Sequence, residues 1–285
     1  MIDSVMLNIS DHSRGSVGLT YVYPVLSRRS GGISVGINLN HNNACNFRCI
    51  YCQVSGLTRG SAPAVDLKKL EDELHYFLHE LLEGRFMETR VPIKSRNIAD
   101  IALSGNGEPT SVSDFERVIS LIKYLMNKFG LIGKIKLVLI TNGSLVKRLG
   151  VQRGLIDMAS IKGEVWFKLD SVTSEGLKTI NNTNLKLDTI YENICLSARL
   201  CPTWLHTCLF AIDENYPSLK EQSAYLSFIK RLVKANVPIR GVTLYSLARP
   251  SMQKEAWRLS NVSREWIMGF ALQVKELGVW VNVNH

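Results

Sequence analysis

The chain has 285 residues, 46% hydrophobic and 21% charged, proportions that fit a globular protein with a sizeable apolar core and exclude a disordered one. No apolar run approaches the ~18 residues that span a bilayer, and the opening MIDSVMLNISDHSRG has no basic stretch leading into an apolar one, so a cytoplasmic location without membrane contact is expected. Lys and Arg outnumber Asp and Glu by 34 to 25, a net +9, which suits RNA, an anionic cofactor or an acidic protein segment; the densest basic run, Ser27-Arg28-Arg29-Ser30, is short enough to be solvated surface.

In chain order the first predicted strand is ISVGINLN (33–40), followed by a cysteine-bearing loop and a helix. That helix carries Leu67, Leu70, Leu74, Phe77, Leu78 and Leu81 at helical spacing, with Asp66 as N-cap. A second strand, IADIALSG (98–105), leads to a helix through Val118, Ile119, Ile122, Leu125 and Phe129, opened by a Ser113/Glu116 capping box and closed by Gly130. Strands KIKLVLIT (134–141) and EVWFKLD (164–170) come next, then HTCLFAID (206–213), whose following helix starts with a Ser218/Glu221 box. The sixth strand is RGVTLYSL (240–247); Ser263 then caps a helix through Trp266, Ile267, Phe270 and Val274, and VWVNVN (279–284) is a possible last strand.

Repeated strand-helix units force parallel neighbours. The expected fold class is therefore α/β, a partial (β/α)6 TIM-like barrel or an open doubly wound sheet, with short N- and C-terminal extensions. No repeat or linker divides residues 1–285, so one domain is expected, with its core at about 30–250 and a C-terminal helix and strand at 251–285. In either architecture the active site lies in loops at the carboxyl ends of the strands.

The cysteine loop sits at that rim. HNNACNFRCIYCQ (41–53) spaces Cys45, Cys49 and Cys52 as C-x3-C-x2-C and holds half of the chain's six cysteines. In a reducing compartment such clustering points to metal or catalysis. Three thiolates can ligate iron or zinc; a closed zinc site needs a fourth ligand, which His41 could supply, and would make the chain a zinc-stabilised binding protein. A four-iron cluster on three cysteines leaves one iron open to a small molecule. Cys195, on the stripe Ile190, Tyr191, Ile194, Ala198, and Cys201 and Cys208 read as packing residues.

CNFRCIYC, with Tyr51 before the third cysteine, resembles the signature of the radical SAM superfamily, and the chain is most similar to its small wyosine-synthase-related Fe-S oxidoreductases. The resemblance implies a metal site of Cys45, Cys49 and Cys52 holding a [4Fe-4S] cluster that reductively cleaves S-adenosylmethionine. The resulting 5'-deoxyadenosyl radical abstracts hydrogen from a substrate. SGNGEPT (104–110) resembles the family's glycine-rich motif, which implies cofactor contacts from Gly105, Asn106, Gly107 and Glu108, the carboxylate receiving the methionine ammonium. Thr141-Asn142-Gly143 resembles a family turn and adds Asn142. Lys168 and Asp170 point the same way by period two, and with Tyr51 they complete the implied cofactor set. Later strand ends make Asp213, Tyr245 and Arg249 substrate-side candidates.

A small flavodoxin- or ferredoxin-like electron donor is implied, with a substrate that is RNA, a protein segment or something else. The readings are a radical SAM enzyme of unassigned substrate, a glycyl-radical-enzyme activase, or a tRNA-base modification enzyme. No cysteine precedes Cys45, which departs from wyosine synthases. Segments 55–66 and 248–263 are long enough to act as a lid or clamp.

Overall fold

Seven parallel strands and one antiparallel edge strand form the central sheet of the computed structural model, which describes residues 6–7, 17–27 and 31–284. Most of the opening segment and the basic pair Arg28-Arg29 lie outside the described residues. The chain begins with strands β1 (Val22–Leu26) and β2 (Ile33–Ile37), and the cysteine loop then carries two short strands, β3 (Ala44–Cys45) and β4 (Thr58–Arg59). Helices α1 (Leu67–Leu82) and α2 (Phe86–Arg90) lead to β5 (Ile98–Leu103), and α3 (Phe115–Lys128) to β6 (Lys136–Thr141). Next come α4 (Leu149–Ser160), β7 (Glu164–Lys168) and α5 (Ser174–Gly176), the last continuing as a π-helix over Leu177–Asn181. The chain then runs through α6 (Leu187–Leu200), β8 (Thr203–Cys208), β9 (Phe210–Ile212) and α7 (Leu219–Lys234). It ends with β10 (Ile239–Tyr245), β11 (Leu259–Asn261), α8 (Arg264–Lys275) and β12 (Val281–Asn284).

The strand order is β1-β2-β5-β6-β7-β8-β10-β12. Six strand-helix units in sequence order make the expected partial barrel, and β12 adds a seventh parallel strand beside β10. Strand β1 is not apparent from the sequence because Pro24 interrupts YVYPVL; it is tolerated because β1 is an edge strand, where a missing ladder donor costs little. The predicted fifth strand is divided: β8 stays in the sheet, while β9 turns away to pair antiparallel with β11.

Helix caps follow the chemistry of their side chains. Asp66 accepts from the Lys69 amide, and Ser263 from the Trp266 amide. The Ser113/Glu116 box does not form: Asp114 is the N-cap of α3, and Glu116 instead pairs with Arg153 at 2.6 Å. Ser218 accepts from the Glu221 amide, but the Glu221 carboxylate turns to Ser171 and Thr173 rather than closing the box. A continuous apolar core runs between sheet and helices, from Val22, Ile37 and Leu103 to Ile229, Leu244 and Val274. Cys201 and Cys208 are buried and Cys195 is half-buried. No helix among the described residues is long and apolar enough to cross a membrane.

Candidate active site

The three loop cysteines are half-buried and lie past the carboxyl end of β2, in no disulfide. The loop is held from four directions. Strand β4 returns to pair with β3, Thr58 with Ala44 and Arg59 with Cys45, so segment 55–66 braces the loop at its start. Arg59 also donates to the Asn46 and Asn182 carbonyls. Beneath the loop, Ile50 packs with Cys208 and Phe210, with Tyr51, Ile180 and Leu247 around them. The Arg48 and Ile50 amides donate to the carbonyls of Asn181 and Ile180 at 3.1 and 2.8 Å.

The fourth restraint is segment 249–258. Ser251 donates to the Ile50 carbonyl at 2.7 Å, and Gln253 Nε2 to the Val54 carbonyl at 2.8 Å. The Met252 amide donates to the Cys52 carbonyl at 2.9 Å. Arg48 makes two bonds to the Glu255 carboxylate, at 3.0 and 2.6 Å. Those bonds hold the Glu255 carboxyl below its ordinary value of 4.5 against the opposite pull of burial. A carboxyl lowered in this way stabilises the fold above its ordinary value, and the contribution is lost as pH falls through the lowered one. We expect Glu255→Gln at pH 7, or acidification of the native protein, to free the strap at a cost of about 1–3 kcal/mol. The readout is amide exchange at Met252, which should quicken while exchange in the β6 core does not.

After β5, the glycine-rich turn meets the cysteine loop itself. A Cβ on Gly107 would stand 2.0 Å from the Ala44 carbonyl oxygen, and one on Gly105 2.2 Å from Asn38 Oδ1. The glycines are needed for that protein-protein approach, beyond any approach to a ligand. Gly107→Ala is expected to push the Cys45 end of the loop outward and cost about 1–3 kcal/mol, measured by urea unfolding together with iron content after reconstitution. Asn106 Nδ2 donates to Asn43 Oδ1 at 2.6 Å, and the Asn106 backbone amide donates to Asn38 Oδ1 at 2.9 Å.

Glu108 is buried at the end of this turn. It is 2% exposed and its carboxylate is occupied by the chain: Oε1 accepts from the Thr110 amide, Thr110 Oγ1 and Thr141 Oγ1, and Oε2 from the Asn142 amide at 2.7 Å. It clamps the β5 turn to the β6 turn. Asn142 is likewise tied down, with Nδ2 on Asn46 Oδ1 at 2.8 Å and Oδ1 accepting from Ser144.

The end of β7 contributes the strongest electrostatic feature. Asp170, its side chain 1% exposed, accepts from Lys168 Nζ at 3.0 Å, Tyr51 Oη at 2.5 Å, Asn181 Nδ2 at 2.9 Å and the Cys208 amide at 3.1 Å. The Lys168 ammonium lies between the Tyr51 and Tyr245 rings, 4.9 and 4.7 Å from their centroids, and bonds Tyr245 Oη. Burial pulls Lys168 down, yet Asp170 and Tyr245 hold it above the ordinary lysine range. Burial pushes the Cys45 thiol up to about 11 and the Cys49 thiol up to about 12. Both are protonated at neutral pH, so a metal that takes them must displace protons.

A cavity of about 420 Å³ inside the barrel is lined by Cys49, Cys52, Tyr51, Gly105, Lys168, Tyr245 and Arg249. Tyr245 and Arg249 thus line the cavity, whereas Asp213 does not: it lies on an exposed turn with φ of 50° and pairs with Arg258 at 2.6 Å, because β9 leaves the barrel before reaching it. Sequence reasoning also missed Asn181 and the strap residues Ser251, Gln253 and Glu255. The adjacent Asn181-Asn182 pair was a usable signal, since asparagine favours the left-handed conformation that Asn182 adopts.

Among the described residues no three His, Cys, Asp or Glu side chains converge on one ion position. His41 stands edge-on to Tyr21, ring centroids 5.5 Å apart, exposed to solvent.

No protein-family profile matches the chain. The fold is one that radical SAM enzymes use. A structure of TYW1 with a lysine-pyruvate adduct bound aligns with a TM-score of 0.55 at 15% identity, over 85% of this chain and 73% of that one. A radical SAM methyltransferase from Sphaerobacter thermophilus aligns with a TM-score of 0.56 at 13% identity, over 94% and 78%. In sequence, the chain is 24% identical over 234 residues to a UPF0026 protein of Helicobacter pylori, covering 81% of this chain and 67% of the relative. It is 30% identical over 174 residues to a UPF0026 protein of Synechocystis, covering 60% and 56%. It is also 29% identical over 165 residues to the GTPase Obg of Brachyspira hyodysenteriae, covering 58% of this chain and only 21% of that protein. The chain has no G-x4-G-K-[ST] phosphate loop.

Proposed function

We propose that the protein is a radical SAM enzyme in which Cys45, Cys49 and Cys52 hold a [4Fe-4S] cluster and S-adenosylmethionine lies between the cluster and the Lys168-Asp170 pair. The carrying observation is a cavity at the carboxyl rim of a parallel partial barrel that Cys49, Cys52 and the ammonium-bearing Lys168 all line, with Cys45 on the same loop and Asp170 bonded to Lys168. When bound, cluster and S-adenosylmethionine together supply an electron and a carbon-centred radical that removes hydrogen from the substrate.

The chain's own residues bind, orient and shield. Lys168 offers a fixed ammonium to a carboxylate, with Tyr51 and Tyr245 closing over it. Gly105 lines the same cavity, and Asn106, Gly107, Glu108 and Asn142 hold the surrounding turns in place. Tyr245 and Arg249 stand at the substrate side. A small flavodoxin- or ferredoxin-like protein would deliver the electron. The continuous core supports a single domain over residues 1–285.

The substrate is unassigned, with a glycyl-radical protein segment and a tRNA base as the two alternatives. The test is anaerobic reconstitution with iron and sulfide, then dithionite and S-adenosylmethionine, with 5'-deoxyadenosine read by mass spectrometry. Product is expected; none from folded, iron-loaded protein overturns the reading.

A further inference from the structure

The short helix α5 does not end in an ordinary turn. Leu177–Asn181 widen into a π-helix that stops at Asn182 in the left-handed conformation, φ 50° and ψ 47°. Such single π turns are uncommon and concentrate at functional sites. Here the wide turn aims the Ile180 and Asn181 carbonyls at the backbone of the cysteine loop, while Asn182 Nδ2 donates back to the Arg48 carbonyl at 2.9 Å.

The Asn181 side chain, 4% exposed, has both amide hydrogens committed. One goes to Asp170 Oδ2 at 2.9 Å, and the other to Cys49 Sγ at 3.2 Å. Asp170 is itself fixed by Lys168, Tyr51 and the Cys208 amide. The amide is therefore oriented by a rigid anion on one side and delivers its second N–H to sulfur on the other.

A hydrogen bond to a ligating sulfur withdraws negative charge from it and favours the form of an iron-sulfur cluster that carries the extra electron. Building on the radical SAM reading above, we propose that Asn181 is a positioning residue that raises the reduction potential of the cluster through its N–H···S bond to Cys49. The electron still comes from the external donor; Asn181 changes how readily it is accepted. A merely structural asparagine would affect loop order and iron retention but leave the potential of loaded protein unchanged.

The experiment is a redox titration of the reconstituted full-length protein followed by electron paramagnetic resonance, comparing wild type with Asn181→Ala and Asn181→Asp. Asp keeps the shape and gives up the N–H but adds a charge, so Ala carries the comparison. Both iron-loaded variants are expected to titrate at lower potential, with the reduced-to-oxidised ratio at the wild-type midpoint falling about tenfold, or about 59 mV for one electron. Loaded variants that titrate with wild type overturn the proposal. Should neither variant hold iron, wild type grown with 15N-asparagine decides: an amide-nitrogen coupling to the reduced cluster supports the bond, and its absence overturns it. Wild type without cluster, or without 5'-deoxyadenosine, defeats the radical SAM reading as well, so the two failures are distinguishable.

Discussion

Cys49→Ala is expected to leave the protein folded but colourless after anaerobic reconstitution, with iron falling from roughly four per chain to background and 5'-deoxyadenosine production lost with it. The loop has no spare ligand: the remaining cysteines are on α6, at its end and within β8. The loop backbone is pinned independently by β4, by the π turn and by the 249–258 strap, so deletion of one thiol should not unfold it. Cys195→Ala, on the half-buried face of α6, is the control and should keep iron and product unchanged. Iron and sulfide analysis beside circular dichroism checks both.

Asp170→Ala should have the largest effect on stability. The carboxylate serves four donors from four parts of the chain, and its loss leaves Lys168 charged and buried without its anion. Breaking a buried pair from one side costs about 3–5 kcal/mol, a large share of a typical folding free energy. Lys168→Met with Asp170→Asn, which removes both charges and keeps the volumes, should recover most of that loss in urea unfolding. It should not recover product, because the ammonium offered to the cofactor is gone.

The sequence made the barrel legible because its signals are local. Buried parallel strands are short apolar runs, and the helices between them carry a 3.6-residue stripe and recognisable caps. The cysteine spacing, Tyr51 and the Lys168/Asp170 alternation were legible for the same reason. What escaped depended on partners distant in the chain. Pro24 hid an edge strand whose position only the sheet order reveals. Asp213 was carried out of the cavity when β9 left the sheet for β11, a pairing across 47 residues that periodicity does not encode (Leu259 with Ile212). Glu108 had the residue type of an ammonium acceptor, but its clamp on Thr110, Thr141 and Asn142 joins two turns that only the fold brings together. The strap was visible only as a long segment near the C-terminus, and its hydrogen bonds to Ile50, Cys52 and Val54 arise from folding alone.

The central claim is that an iron held by this loop has a coordination position that S-adenosylmethionine fills. Electron paramagnetic resonance of the reduced, anaerobically reconstituted protein tests it most directly. Addition of S-adenosylmethionine is predicted to change the g-values of the reduced cluster in wild type. An unchanged spectrum at saturating S-adenosylmethionine, from protein carrying its full iron and sulfide, would contradict the account.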